Sequence, residues 1–268
     1  MTPPRRTAED ALAIAGGDAA RLAPLRAAGE MPLVEHLEEL RRRMFVCIGA
    51  VFVGTVVGFI FRDTILAVLL HPLPIEANTL IGGDGTRRIA VTAIGEGFAI
   101  LVKISIAAGI ALATPVWVHQ LWSFAAPALR PDERKYAAPA TLVGIGLFLA
   151  GLVVGFVTLR YPINWLLSFD DGHFVRVITA DNYFTFVAYF LLAFGLTFEL
   201  PLVLTFLALV GVVSSRSLRA HRAYIVVGLW IASCFVTPGA DPYSPLIIGV
   251  AFTILYFISE ALIRVIGR

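Results

Sequence analysis

The sequence predicts an all-α integral membrane protein with six transmembrane helices. Three observations carry that expectation. The 268 residues are 58% hydrophobic and only 15% charged, with a mean hydropathy of +0.84, against about 25% charged residues in soluble domains. A soluble fold has no way to cover that much apolar surface, so the solvent is lipid. The apolar residues fall into six runs separated by polar, Gly- and Pro-containing connectors. The basic residues are also distributed unequally over those connectors, as a membrane protein's are. The net charge of +2 raises no case for a nucleic-acid partner.

Residues 1–30 are Ala-rich with scattered charges. No apolar stretch of the ~7–15 residues that a signal peptide needs follows Arg5-Arg6. The segment reads as a disordered cytoplasmic tail ahead of a membrane domain spanning 31–268. Pro32 suits the first position of a helix, and Glu35-His36-Leu37-Glu38-Glu39-Leu40-Arg41-Arg42-Arg43 forms a charged collar. Three consecutive arginines against an apolar helix mark its cytoplasmic end. Glu35, Glu38 and Glu39 stand at i, i+3, i+4, so one helix face presents acid at the membrane surface.

The first span is expected at about 44–66. A polar loop follows to Thr92, with Gly82-Gly83-Asp84-Gly85 at its centre and length enough for short helices. Span 2 covers about 95–119. In the next connector, Pro131 followed by Asp132 and Glu133 is a helix-start signature, with acid placed at the positive end of the helix dipole. Span 3 covers about 137–159. A loop at 160–182 carries turn chemistry in Pro162, Asp170-Asp171-Gly172 and Asp181-Asn182. Span 4 covers about 183–210 and contains Glu199-Leu200-Pro201. Spans 5 and 6, at about 223–237 and 246–262, fall short of the ~20 residues a bilayer requires, which points to local thinning of the membrane there.

The expected inner flanks hold eleven basic residues, Arg41, Arg42, Arg43, Arg130, Arg134, Lys135, Arg216, Arg219, Arg222, Arg264 and Arg268. The outer segments hold five, Arg62, Arg87, Arg88, Arg160 and Arg176. Leaving the tail and Lys103 aside, that asymmetry puts both termini in the cytoplasm. Cys47 and Cys234 then lie at opposite faces and do not pair.

Three sets of polar residues stand out. Glu39 and Glu133, on separate cytoplasmic elements, suit the capture of two guanidinium groups, because a carboxylate accepts a guanidinium through two parallel charge-assisted bonds. Local pairing of Glu39 with Arg43, and of Glu133 with its own helix dipole, fits the residues as well. Glu199 lies about 24 Å of helix from Tyr183 and about 22 Å from Ser214, so it sits inside the lipid. A carboxylate there is costly and marks function or a bond to a neighbouring helix. Pro201 removes a backbone donor nearby. Lys103, about 12 Å from the start of span 2, is expected to snorkel to the outer headgroups. The histidines fall at membrane edges, and no Cys/His spacing, phosphate-binding Gly loop or nucleophile elbow appears. No metal site is therefore expected.

Four motifs in series carry a family likeness. They are His36-Leu37-Glu38-Glu39-Leu40-Arg41; Gln120-Leu121-Trp122-Ser123-Phe124-Ala125-Ala126-Pro127-Ala128-Leu129 with Asp132-Glu133-Arg134; Phe194-Gly195-Leu196-Thr197-Phe198-Glu199-Leu200-Pro201; and Thr237-Pro238 with Asp241. Together they resemble TatC, the six-span core subunit of the bacterial twin-arginine protein translocase, over about residues 31–262. The resemblance implies a concave, glove-like bundle with cytoplasmic termini in the bacterial cytoplasmic membrane. It implies recognition of folded precursors through signal peptides bearing two consecutive arginines, export driven by the proton-motive force, and assembly with itself and with the single-span subunits TatA and TatB. By motif, Glu39 and Glu133 are the implied arginine receptors, and Phe124 and Arg41 lie in the same patch. Glu199 is the implied acid facing the concavity, and Asp241 and Thr237 belong to the outer face and partner contact. The outer turn is one residue longer than the family's common Thr-Pro-Pro-Asp, and Pro245 stands where many members carry Gln.

A competing class is a small-solute or proton-coupled permease with Glu199 and Lys103 as a relay. A haem or quinone redox subunit is a third, disfavoured by the edge positions of the histidines.

Overall fold

The computed structural model describes residues 33–73, 80–81, 87–125, 137–168, 178–239 and 241–266. The expected tail at 1–30, the Pro131–Glu133 helix start and the Asp170-Asp171-Gly172 turn lie outside those residues. Cα packing divides the chain into two units, 1–44 and 45–268. In the first unit the described residues are the opening turns of helix α1 (Leu33–Ile60).

In the second unit α1 runs on, followed by α2 (Arg62–Leu70), a two-stranded antiparallel ribbon of β1 (Leu80–Ile81) and β2 (Arg87–Arg88), α3 (Glu96–Leu112) and α4 (Thr114–Ala125). Then come α5 (Ala137–Thr158), α6 (Arg160–Ser168), α7 (Ala180–Phe198), α8 (Leu200–Leu209), α9 (Ser215–Ala220), α10 (Arg222–Val236) and α11 (Tyr243–Ile266). Among the described residues, four stretches are long and apolar enough to cross a membrane: Leu37–Ile60, Pro139–Ser168, Ala180–Leu209 and Tyr243–Ile266. The pair α3–α4, bent by 50°, makes a fifth if it is one span.

Several boundaries differ from those the sequence suggested. The expected span at 95–119 is two helices meeting at Ala113 and continuing to Ala125. Residues 160–168, expected as loop, are helical, because Pro162 falls in the first turn of α6, where its missing N–H costs nothing. In the loop after the first span, which has length enough for short helices, Leu80–Ile81 pairs with Arg87–Arg88 as strands. The last span is 24 residues long rather than short, since Asp241 starts the helix earlier than its apolar run does. α10, at 15 residues, stays below crossing length.

The core centres on α7. Tyr183, Phe184, Val187, Phe190 and Phe194 recur at helical spacing and are buried against Ile100 and Ile104 of α3, Leu159 and Ile163 around the α5–α6 break, and Ile248 and Phe252 of α11. In lipid, apolar side chains gain nothing from one another that the acyl chains do not offer, so helices associate where small residues let backbones approach. Gly151 and Gly155 of α5 provide that approach. A Cβ on Gly151 meets the Phe194 carbonyl oxygen at 2.6 Å, and one on Gly155 meets the Phe194 Cβ at 2.9 Å. From the other side, Gly195 leaves room for the Phe148 ring, whose nearest atom stands 2.6 Å from where a Cβ belongs. Gly54 of α1 abuts the Gly109 backbone of α3 in the same way, at 2.7 Å. A second buried cluster joins Val118 and Trp122 of α4 to Leu202 of α8, with Trp122 edge-on to Phe206 at 5.8 Å.

Gly151→Ala should therefore cost about 1–3 kcal/mol, the range for overpacking. It should visibly lower the thermal unfolding midpoint of the purified chain. Gly146→Ala, on the same helix with nothing within 4 Å, should leave the midpoint unchanged.

Candidate functional site

Glu39 lies on the first turns of α1. Its Oε1 accepts from Arg43 Nη2 at 2.5 Å and Arg43 Nε at 3.1 Å. This is the i, i+4 pairing that the collar sequence allows. Both side chains are about three-quarters covered, at 22% and 24% exposure. The other carboxylate oxygen, Oε2, is shielded from solvent and has no hydrogen-bond partner. Such an acceptor is costly to leave bare, so Glu39 retains one strong, uncommitted acceptor. Arg41, two residues on, is exposed on another side of the helix. Phe124 is half-buried in the last turn of α4. Glu133 lies outside the described residues.

Glu199 is the residue where the ladder of α7 stops and α8 begins. Pro201 falls in the first turn of α8, and the two halves still read as one 30-residue crossing. Glu199 stands about 29 Å of helix from Ala180 and about 15 Å from Leu209, inside the crossing and displaced toward its second end. It is 6% exposed, and neither carboxylate oxygen has a hydrogen-bond partner. The space for it is made by another glycine: a Cβ on Gly144 of α5 stands 3.3 Å from Glu199 Oε2 and also contacts Val118 and Leu202. Thr197 Oγ1 is likewise buried and unpartnered. Two residues apart on a helix do not share a face, so Thr197 and Glu199 are separate orphaned groups.

Lys103 has partners within the protein. Its ammonium bonds Asp181 Oδ1 at 2.5 Å and Thr185 Oγ1 at 3.3 Å on α7. Beside it, Glu96 Oε2 accepts from the Thr92 and Ala93 backbone amides at 2.6 and 2.9 Å, while its Oε1 accepts from Asp181 N at 3.3 Å. The turn into α3 passes through Gly95 at φ +85°, a left-handed conformation natural only to glycine. Lys103 is thus tied to the start of α7, and Glu199 closes the same helix about 27 Å away. That separation leaves no direct relay between them.

Asp241 is buried at 4% exposure and caps α11: Oδ1 accepts from Ser244 N at 2.6 Å, and Oδ2 from Ser244 Oγ at 2.7 Å. Thr237 is half-exposed at the end of α10, its hydroxyl donating to the Cys234 carbonyl at 3.3 Å. Cys47 and Cys234 are both free thiols.

One cluster escaped the sequence reading. Glu260, near the end of α11, is 6% exposed and holds two arginines from the α9–α10 corner. Arg222 binds it in a fork, Nε to Oε2 at 3.1 Å and Nη2 to Oε1 at 2.7 Å, and Arg219 Nε adds a bond at 3.1 Å. Tyr256, one turn before, donates to the Leu218 carbonyl at 2.9 Å. The signal was available: a lone acid at a span end, facing a connector with three arginines.

Residues 35–258 match the family profile of the Sec-independent protein translocase protein TatC. The chain belongs to the TatC family. Among its relatives are the TatC proteins of Frankia casuarinae, 36% identical over 84% of this chain and 64% of that protein, and of Carboxydothermus hydrogenoformans, 36% identical over 85% of this chain and 91% of that one. The chain spans about two-thirds of the length of the Frankia and Corynebacterium kroppenstedtii relatives. A crystal structure of the twin-arginine translocase receptor TatC in DDM superposes with a TM-score of 0.72 at 29% identity, covering 85% of this chain and 99% of that one. This TatC-family chain is a membrane protein, and the matched range takes in Glu39, Phe124, Glu133, Glu199 and Asp241.

Because the Asp241 carboxylate is spent on the cap, Asp241→Ala should cost about 1 kcal/mol of stability and lower the unfolding midpoint. Asp241→Asn keeps an acceptor for the Ser244 amide and should recover most of that loss in the same melt.

Proposed function

We propose that this chain is the twin-arginine signal-peptide receptor and core of a translocase that exports folded proteins across the bacterial cytoplasmic membrane, driven by the proton-motive force. Family membership supports the class. The uncommitted Oε2 of Glu39 supports the receptor role. The Arg43 pair is an i, i+4 contact of the kind worth about 0.3–0.5 kcal/mol, so an incoming guanidinium displaces it at small cost. Glu133, Phe124 and Arg41 complete the docking patch. Two carboxylates favour two arginines over two lysines, because only the guanidinium matches a carboxylate through both oxygens.

In this reading the α3–α4 pair and the short α10 complete six crossings, arranged as a concave bundle with both termini cytoplasmic. The precursor's apolar segment follows the concave face toward Glu199, a bare carboxyl inside the crossing. TatA and TatB helices gather at the last two spans. Thr237 offers the polar contact there, since Asp241 is already occupied by Ser244. No covalent step and no cofactor take part.

The permease alternative lacks a supporting contact, given the Lys103–Asp181 pair. It predicts partner-independent solute uptake by vesicles.

Glu39→Ala combined with Glu133→Ala should abolish export of a twin-arginine reporter. It should also weaken precursor co-purification by about one to two orders of magnitude, the loss of one to two charge-assisted bonds. A precursor carrying Lys-Lys should bind the unaltered chain as poorly. Intact export and binding in the double variant refute the receptor assignment.

A further inference from the structure

The Glu260 cluster holds more positive charge than Glu260 neutralises. Arg222 forks onto both carboxylate oxygens through Nε and Nη2 and lies over the Phe257 ring at 5.2 Å. Arg219 spends only its Nε on Glu260, and its side chain is 46% exposed. Arg264, one turn beyond Glu260 on α11, is exposed and has no ion pair among the described residues. Arg219 and Arg264 line one recess of about 480 Å³, whose other walls are Phe257, Glu260, Ala261 and Val265.

Two properties of that recess select its occupant. It lies at the end of a 24-residue apolar helix of crossing length, which puts it at a membrane–water interface on whichever side that end emerges. Its apolar wall, Phe257, Ala261 and Val265, follows i, i+4, i+8 along α11 and continues into the exposed apolar residues Ile254 and Val250. A cationic mouth opening onto an apolar stripe has the polarity of a phospholipid, with a phosphate at one end and acyl chains along the other. Guanidinium groups bind phosphate oxygens through paired, charge-assisted bonds, and basic recesses at helix ends in membrane proteins take anionic headgroups.

We propose that Arg219 and Arg264 form a binding site for the phosphate of an anionic phospholipid, with Glu260 and Arg222 as the clasp that holds Arg219 in place. Glu260 satisfies one Arg219 donor and orients its guanidinium. The remaining donors, together with those of Arg264, face the headgroup. The acyl chains lie on the α11 stripe. The site involves neither Glu39 nor Glu199 and does not depend on the receptor reading.

The full chain, purified in mild detergent, is mixed with phosphatidylglycerol or phosphatidylcholine of the same chain length, and bound lipid is counted by native mass spectrometry. The unaltered chain should retain phosphatidylglycerol in clear preference to phosphatidylcholine. Arg219→Gln with Arg264→Gln should weaken that retention by roughly thirtyfold, the loss of two interfacial arginines. Arg264→Gln alone breaks no bond described within the protein and therefore carries no risk to the fold; it should give a partial loss. Arg216→Gln, an exposed arginine of the same short helix outside the recess, should change nothing. Equal retention of both lipids, or full retention by the double variant, overturns the proposal. Complete displacement of the lipid by millimolar inorganic phosphate overturns it too, because the apolar stripe then adds nothing and the site is one for free phosphate.

Discussion

Helices in a bilayer are not pushed together by the hydrophobic effect, since lipid tails are as apolar as their side chains. This chain meets that constraint with backbone proximity. Gly151 and Gly155 of α5 press on the Phe194 turn of α7, and Gly195 of α7 receives the Phe148 ring. With α5 and α7 in contact, the aromatic face of α7 has a second wall, and α3 and α11 pack on what remains. The same crossing places Gly144 opposite Glu199. The residue that looks most functional is thus housed by the residues that bring the helices together.

The buried acids are treated in opposite ways. Glu260 is saturated by a forked arginine and a second one, and Asp241 by its own helix start. Both acids fasten elements to one another. Glu199 receives no hydrogen bond from the protein, although it is just as buried. Leaving a polar group bare in a dry interior costs stability, whereas Glu260 and Asp241 show that this fold can satisfy an acid. That contrast is the observation behind the proposed intramembrane role of Glu199.

Much of the fold was legible in the sequence because hydropathy reports directly on the solvent each residue meets. The runs at 137–159 and 183–210 came close to α5 and to the α7–α8 crossing. The acids at 39 and 199 were visible because charge beside or within an apolar run is conspicuous. What stayed hidden depends on contacts between distant residues. The pairing of Lys103 with Asp181, 78 residues away, could not be read from the sequence. The capping role of Asp241 stayed hidden because its bonds to Ser244 depend on a turn that composition does not encode. The end of α11 was placed too early because Glu260 and Arg264 looked like the polar margin of the membrane, when the helix continues through them. Glu133 is the one proposed receptor residue whose geometry the described residues do not include.

The two interrupted helix pairs, α3–α4 and α7–α8, have a mechanical consequence. α3 and α7 are riveted together at their starts by Lys103, Asp181 and Glu96. Their continuations, α4 and α8, each begin past a gap in the backbone ladder, at Ala113 and at Glu199, and lean on each other through Val118, Trp122 and Leu202. Bending stiffness is lowest where a ladder is broken. A load applied to α4 or α8 therefore turns at those two joints, and the pair yields as a single lever while the riveted end stays put.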